Sequence, residues 1–401
     1  MSAPVLNRPM LVFLLLAQMA LGLLAMTVCI PSMQDWPAQF GASQSQVQLT
    51  FSGYVAAFGL AQLVYGPLAD RLGRKPVLLA GLVLAALGSA LAASAQSLSL
   101  LLLARVLQGA GSAVGMVVGR ALVHDLFEGA QRTRMMAYVG MTMGVCPPLA
   151  ALVGGRLHVA LGWQSNFVLL LVLFVLLLWL SWRHLPDMRP PAAAALPWWH
   201  QAASSYAQLM GQRVFLLYAL ILALTSASAQ TYFAGAPIVL KAYGIGPESI
   251  GWFIMAVPLP YILGNALTSR VIHRYGDRRL MFWGQIATVG GLLLMLVLAL
   301  AGVRSVLALV LPLALMGFGH GLLVPPTLSG AVGSVPALAG TAAAFAGALQ
   351  QLFGALGSYL VGLLEHESNV PLAMLLLSMA LCAWLAHAGL KRSGAWRSGA
   401  A

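Results

Sequence analysis

The chain has 401 residues, 60% of them hydrophobic and only 7% charged, with a mean hydropathy of +0.89. A water-soluble protein carries roughly 25% charged residues to cover its surface, so a soluble globular domain is excluded and lipid must be the solvent for most of this surface. The net charge of +12 does not point to nucleic acid, because the cations sit in short turns between apolar runs, where they set membrane topology.

A helix that crosses ~30 Å of hydrocarbon needs about 20 apolar residues. On that ruler the first six spans fall near 10–32, 47–69, 77–96, 99–122, 135–157 and 163–183. A second six fall near 213–240, 249–272, 279–302, 306–331, 337–364 and 370–390. The first run, Met10 to Pro31, exceeds the ~7–15-residue core of a signal peptide and shows no A-x-A cleavage site, so it reads as a retained helix. Cys29, Cys146 and Cys382 each lie inside an apolar run. None has a partner at metal-ligand spacing, so small apolar packing is their expected role and no metal or cofactor is implied.

The Lys/Arg distribution tests this map. With both termini inside, seventeen cations fall on the inner side and three, Arg156, Lys241 and Arg304, on the outer, with Arg105 within a span. That asymmetry follows the positive-inside rule and an odd number of spans would scramble it. Residues 1–183 and 213–401 are therefore expected as two bundles. The stretch 184–212, with Pro186, Pro190, Pro191, Pro197 and then Trp198-Trp199-His200, is expected as a cytoplasmic linker with its tryptophans at the membrane interface.

Between spans 2 and 3 lies Gly66-Pro67-Leu68-Ala69-Asp70-Arg71-Leu72-Gly73-Arg74-Lys75, a short charged turn bounded by glycines. A degraded copy follows span 8, Ser269-Arg270-Val271-Ile272-His273-Arg274-Tyr275-Gly276-Asp277-Arg278. Aligning Gly73 with Gly276 gives an offset of 203 residues, about half the chain. A duplicated half with matching turns is what a two-bundle transporter needs. Gly66 suits close helix approach, Gly73 a tight turn, and Asp70 can accept from a helix N-terminus. In span 4, Arg105 costs ~2.5–3.5 kcal/mol to insert, so it must face the bundle interior and find acceptors there.

The turn from Gly66 to Lys75 resembles the loop between helices 2 and 3 of the major facilitator superfamily, G-x-L-a-D-r-x-G-r-k. Leu102 to Gly111 is similar to that family's helix-4 R-x-x-q-G-x-g element. Gly144 to Gly155 in span 5 looks like the helix-5 signature of its exporters, in particular the twelve-span drug:proton antiporter branch of the bicyclomycin-resistance (Bcr/CflA) type. Gly162-Trp163-Gln164-Ser165-Asn166-Phe167 and the run from Arg120 to Glu128 fit the same branch. The resemblance implies an all-α integral membrane protein of twelve transmembrane helices in two pseudo-symmetric six-helix bundles. It implies that the turn approaches helix 11 near Gly340-Thr341 and that Arg74 pairs with Asp125. For Arg105 it leaves two roles open, proton coupling and a purely structural hold on helices 1 and 4 through backbone carbonyls. It makes Gly144, Pro147, Pro148, Gly154 and Gly155 a hinge that slides against helix 8, with Ala151 standing where the family carries a second Pro.

Where the branch places a helix-1 carboxylate, four residues before Pro31, this chain has Thr27. The remaining candidates for coupling are Arg105, His320 in span 10, and Asp35 at the outer end of span 1, the last reading first as a solvated loop acid. A cavity with cations and no carboxylate disfavours lipophilic cations and accepts neutral or anionic molecules. Its candidate lining is Gln18, Thr27, Tyr54, Phe58, Met116, Gln230, Tyr232, Asn265, Gln350 and Gln351. The expected function is secondary efflux of drug-like or natural-product molecules by alternating access, coupled to protons, by a monomer in a bacterial inner membrane. Export of one secreted metabolite such as a siderophore is the alternative, and nutrient uptake fits the span-5 signature less well. No nucleophile, carboxylate pair or metal-ligand set supports catalysis.

Overall fold

The computed structural model describes residues 8–186, 198–303, 305–364 and 368–393. Every regular element among them is a helix. Span 1 is Arg8–Thr27, followed by a 3-10 turn Pro31–Gln34; spans 2 to 6 are Gln44–Leu72, Arg74–Ala93, Leu98–Leu126, Gly129–Leu161 and Gln164–His184. Spans 7, 10, 11 and 12 are Arg213–Ala242, Val306–Gly333, Ala339–Leu363 and Val370–Arg392. Among the described residues, eleven helical segments are long and apolar enough to cross a membrane, and one of them, Pro247–Leu300, has 54 residues. At 1.5 Å per residue that is ~80 Å, more than twice the ~30 Å hydrocarbon core, so it holds two spans.

The break between those two spans is at Gly276, with φ 72° and ψ 162° inside the helix Pro258–Leu300. Gly73, the cap between spans 2 and 3, has φ 98° and ψ 152°. A side chain would strain this left-handed backbone, so both turns hold glycine at the same place in each half. The internal repeat read from the sequence is thus also a repeat of backbone conformation, and 258–275 and 277–300 are the bodies of spans 8 and 9.

Elsewhere the helix ends follow local chemistry. Ser43 starts span 2 with a reciprocal capping box, its Oγ accepting from Gln46 N at 3.3 Å while Gln46 Oε1 accepts from Ser43 N at 2.9 Å. Ser97 Oγ accepts from Leu100 N at the start of span 4. The G-W-x-x-x-F run has a visible purpose. Gly162 ends span 5 at φ 84°, and Trp163 then packs edge-on against Trp36, Phe40 and Phe167, with ring centroids 5.7–5.9 Å apart. This aromatic knot closes the first half at the end opposite the Lys/Arg-rich turns.

Spans 1 to 6 pack on one another, and the two halves meet along span 2 against span 11 and span 5 against span 8. Between spans 6 and 7, within the expected linker, residues Trp198–Met210 form a helix. Its Tyr206 donates to Leu63 O of span 2 at 3.1 Å and stacks on Phe345 of span 11 at 5.6 Å, so it touches both halves. Burial raises the Tyr206 phenol pKa, which keeps it a neutral donor. Pro190, Pro191 and Pro197 lie outside the described residues, as do the side chains of Trp198 and Trp199.

Candidate functional site

At the Lys/Arg-rich end, Arg74 opens span 3 directly after the Gly73 turn, one helical turn from Asp70 at the foot of span 2. Its guanidinium pairs with Asp70, and its Nε lies 3.2 Å from Asp125 Oδ2 at the foot of span 4. Three helices of the first half are thereby tied at one point. Gly66, expected at a close helix approach, has open space where a Cβ would be, and so does Gly340. Spans 2 and 11 instead approach closely away from that turn, where a Cβ on Gly59 would lie 2.7 Å from Gln351 Cβ and one on Gly362 2.6 Å from Gln48 Cγ.

Arg105 is fully buried and every near acceptor is uncharged. Span 1 stops being α-helical at Thr27, which leaves its last carbonyls without helical partners. Two of them accept from nearby backbone, Leu24 O from Val28 N and Thr27 O from Ile30 N. The other two, Ala25 O and Met26 O, accept from Arg105 Nη1 and Nη2 at 2.8 and 3.3 Å. Arg105 also donates to Thr50 O of span 2 at 3.4 Å and to the Gln108 side chain, which in turn donates to Ser89 of span 3 at 2.7 Å. The Tyr54 ring lies 4.2 Å from the guanidinium carbon. One cation thus caps span 1 and clamps it to spans 2 and 4.

The opposite end carries direct bonds between the halves. Gln34 Nε2 donates to Pro237 O at 2.7 Å and Ile245 O at 3.3 Å; Gln48 Nε2 donates to Ala234 O at 2.7 Å. Lys241 of span 7 donates back to Gln34 O at 2.8 Å and lies 3.8 Å from Asp35 Oδ1. His158 of span 5 donates through Nε2 to Asp35 Oδ2 at 2.8 Å, and its Nδ1 is buried without a partner. Asp35 is therefore not the solvated loop acid expected from the sequence. It is half exposed and paired to a group from each half.

Span 5 packs closely against span 8 and the 3-10 turn Pro247–Ser249 that precedes it. A Cβ on Gly155 would lie 2.2 Å from Pro247 O, and one on Gly144 2.6 Å from Ile262 Cδ1. Gly154 faces Val28 O of span 1, not helix 8, which corrects that part of the hinge. The helix runs unbroken through Pro147 and Pro148. Gly155→Val is expected to force this end apart and lower transport at least ~tenfold, as overpacking costs about 1–3 kcal/mol. Transport assays beside size-exclusion profiles of the folded protein would check it.

Of the residues expected to line a cavity, three turn their hydroxyls to backbone carbonyls. Thr27 Oγ1 donates to Leu23 O, Tyr54 Oη to Gly22 O and Tyr232 Oη to Phe253 O, and all three residues are fully buried. Phe58 and Met116 are also buried, while Asn265 and Gln350 are half-buried. Gln230 Nε2 donates to Gln351 Oε1 at 2.6 Å, leaving Gln230 Oε1 unpartnered, and both amide atoms of buried Gln18 are unpartnered. His320 is buried beside Ser228 Oγ at 3.4 Å, a helix-packing arrangement. Arg120 of span 4 is exposed, and its hydrogen-bond contact among the described residues is Met143 Sδ at 3.8 Å. That guanidinium sits beside the seam where Gly144 meets span 8, with no carboxylate on it.

The sequence matches the Major Facilitator Superfamily over residues 14–358 and again over 218–395. The chain belongs to the Major Facilitator Superfamily. Among curated members it is 32% identical over 373 residues to "Multidrug resistance protein D" of Escherichia coli (strain K12), covering 92% of this chain and 93% of that one. It is 28% identical over 363 residues to a "Chloramphenicol resistance protein" of Pseudomonas aeruginosa, covering 89% and 85%. Among solved structures it is similar to the human organic anion transporter MFSD10 (TETRAN), with a TM-score of 0.69 at 20% identity over 97% of this chain and all of that one; at that identity the likeness concerns the fold. This superfamily member is therefore a multi-pass membrane transporter on the drug-resistance side of the family.

Sequence reading of this transporter missed His158, Lys241, Gln34 and Gln48. Lys241 carried a usable signal, being one of three cations on the cation-poor side. His158 and the two glutamines carried none, since their partners lie 123 to 211 residues away.

Proposed function

We propose that this transporter exports drug-like molecules of neutral or anionic character from the cytoplasm, driven by inward proton flow. The two halves rock about a midplane site. The Lys/Arg-rich end is cytoplasmic by the positive-inside rule, with both termini inside a bacterial inner membrane and the monomer as the working unit. The observation that carries this reading is the placement of the inter-half bonds. Gln34, Gln48, Asp35 and Lys241 seal the end away from the cytoplasm, while Arg120 lies exposed toward the cytoplasmic end of span 4. An exporter loads in that state.

The relatives' names support efflux, and chloramphenicol, a neutral amphiphile, is a fitting first substrate. Expression in an efflux-deficient host is expected to raise chloramphenicol tolerance and to lower its retention in energised cells, and unchanged retention refutes the reading. Substrate preference has its own test. Without a carboxylate partner, Arg120 can form a charge-assisted hydrogen bond to an anion. Arg120→Gln is expected to weaken export of an anionic test drug about tenfold, roughly 1.4 kcal/mol, and to change neutral export little. Equal losses for both would assign Arg120 to structure.

For proton coupling, the Asp35–His158 pair is preferred over His320, because Asp35 also lies 3.8 Å from Lys241 of the second half, whereas His320 is spent on helix packing.

A further inference from the structure

The seam between spans 1 and 5 carries two hollows on one line. At the Lys/Arg-rich end, a hollow of about 510 Å³ is lined by Val12, Phe13, Gln131, Arg134, Met135 and Tyr138. Deeper, an almost wholly apolar one of about 440 Å³ is lined by Leu24, Val28, Met141, Val145, Leu149 and Leu169. Residues 134, 138, 141, 145 and 149 follow the three-and-four spacing of one helix face, so the wall is continuous along span 5. Phe13, Val145 and Leu149 are exposed in a protein whose solvent at that depth is lipid.

The head of the groove is basic. Arg134 Nε donates to Tyr138 Oη at 2.7 Å, which fixes the guanidinium beside the phenol ring and leaves its Nη donors without a hydrogen-bond partner among the described residues. No carboxylate pairs with it among the described residues. Glu128, the nearest in sequence, is six residues earlier, ~9 Å along the helix. From Arg134 to Val145 is eleven residues, ~16 Å of rise, about half the ~30 Å hydrocarbon core and so the reach of one leaflet's acyl chain. An anion-binding head at the interface above an apolar stem one leaflet deep matches one kind of molecule.

We propose that the groove between spans 1 and 5 is a seat for an anionic phospholipid of the leaflet at the Lys/Arg-rich end. Its phosphate is held by Arg134 with Gln131 and Tyr138, and one acyl chain runs past Val12, Phe13 and Met135 toward Val145. Basic pockets between helices on the cytoplasmic side suit anionic headgroups. A lipid seated there backs span 5, the helix that carries Gly144 and Gly155 to the second half. The proposal is independent of the transported substrate.

The test is native mass spectrometry of the full chain released from micelles holding equal phosphatidylglycerol and phosphatidylcholine. The wild type is expected to retain phosphatidylglycerol about fivefold in preference, as one basic residue near the surface contributes about 1 kcal/mol. Arg134→Gln should abolish that preference. Val145→Trp should reduce retained lipid of both kinds by filling the stem, and Val12→Trp carries the same expectation if the first variant fails to fold. Undiminished preference in Arg134→Gln, or displacement of the lipid by millimolar inorganic phosphate, overturns the proposal; so does undiminished retention in a folded groove-filling variant.

Discussion

Arg105→Met is expected to destabilise the protein by about 3–5 kcal/mol and to abolish transport. The substitution keeps length and apolar packing but removes the donors that serve Ala25 O, Met26 O and Thr50 O. A buried acceptor left without a donor costs about 1–3 kcal/mol, and removing one member of a buried charged network costs about 3–5 kcal/mol. Lipid cannot supply the missing hydrogen bonds. The break in span 1 at Thr27 would then lose its cap, and with it the position of the turn that carries Gln34 and Asp35. Arg105→Lys is expected to rescue little, because an ammonium on a flexible stem does not reproduce the planar fork that reaches two helices at once. The check is thermal unfolding of the purified variants in detergent beside transport in vesicles. If Arg105→Met unfolds with the wild type but fails to transport, Arg105 acts in coupling and not as a clamp.

How far the sequence disclosed this arrangement depends on whether a feature is local. Span lengths, cation placement and the paired turns at Gly73 and Gly276 are local, because each follows from chain chemistry over some twenty residues, and they led to the architecture. The need of Arg105 for interior acceptors was equally legible, since no charge can remain unpaired within the hydrocarbon. Polar residues on apolar helices were not. Tyr54 and Tyr232 look alike in sequence whether their hydroxyls face a cavity or a backbone carbonyl, and the structure gives both to carbonyls. Gly66 and Gly154 show the same limit, since a glycine announces close approach without naming the neighbour. The helix Trp198–Met210 within the linker was not legible either, because the prolines before it drew attention away from its thirteen residues.

The second large effect is expected at the inter-half seal. Asp35 holds His158 of the first half and lies near Lys241 of the second; Lys241 in turn holds Gln34 O, and buried Gln34 reaches two carbonyls across the interface. The half-exposed Lys241–Asp35 contact by itself contributes only ~0–1 kcal/mol, being open to solvent and salt. The Gln34 bonds add about 1 kcal/mol each, so Gln34→Ala combined with Asp35→Asn should remove roughly 2–3 kcal/mol from the sealed state. Coupling free energies of ~1–3 kcal/mol correspond to shifts of 5–150-fold between states, enough to make the unsealed form dominant if the two forms lie within that range. The double variant should therefore react faster with a thiol reagent at a cysteine placed near Ile245, and its efflux should fall because the loading state is depopulated. Asp35→Asn alone should keep the Gln34 bonds yet lose the charge that His158 and Lys241 share, so its efflux should lose dependence on the pH gradient before it loses rate. His320→Gln, remote from this seal, should retain that dependence. A gradient-dependent Asp35→Asn and a gradient-blind His320→Gln would move the coupling proton to span 10 and leave Asp35 as a structural tie between the halves.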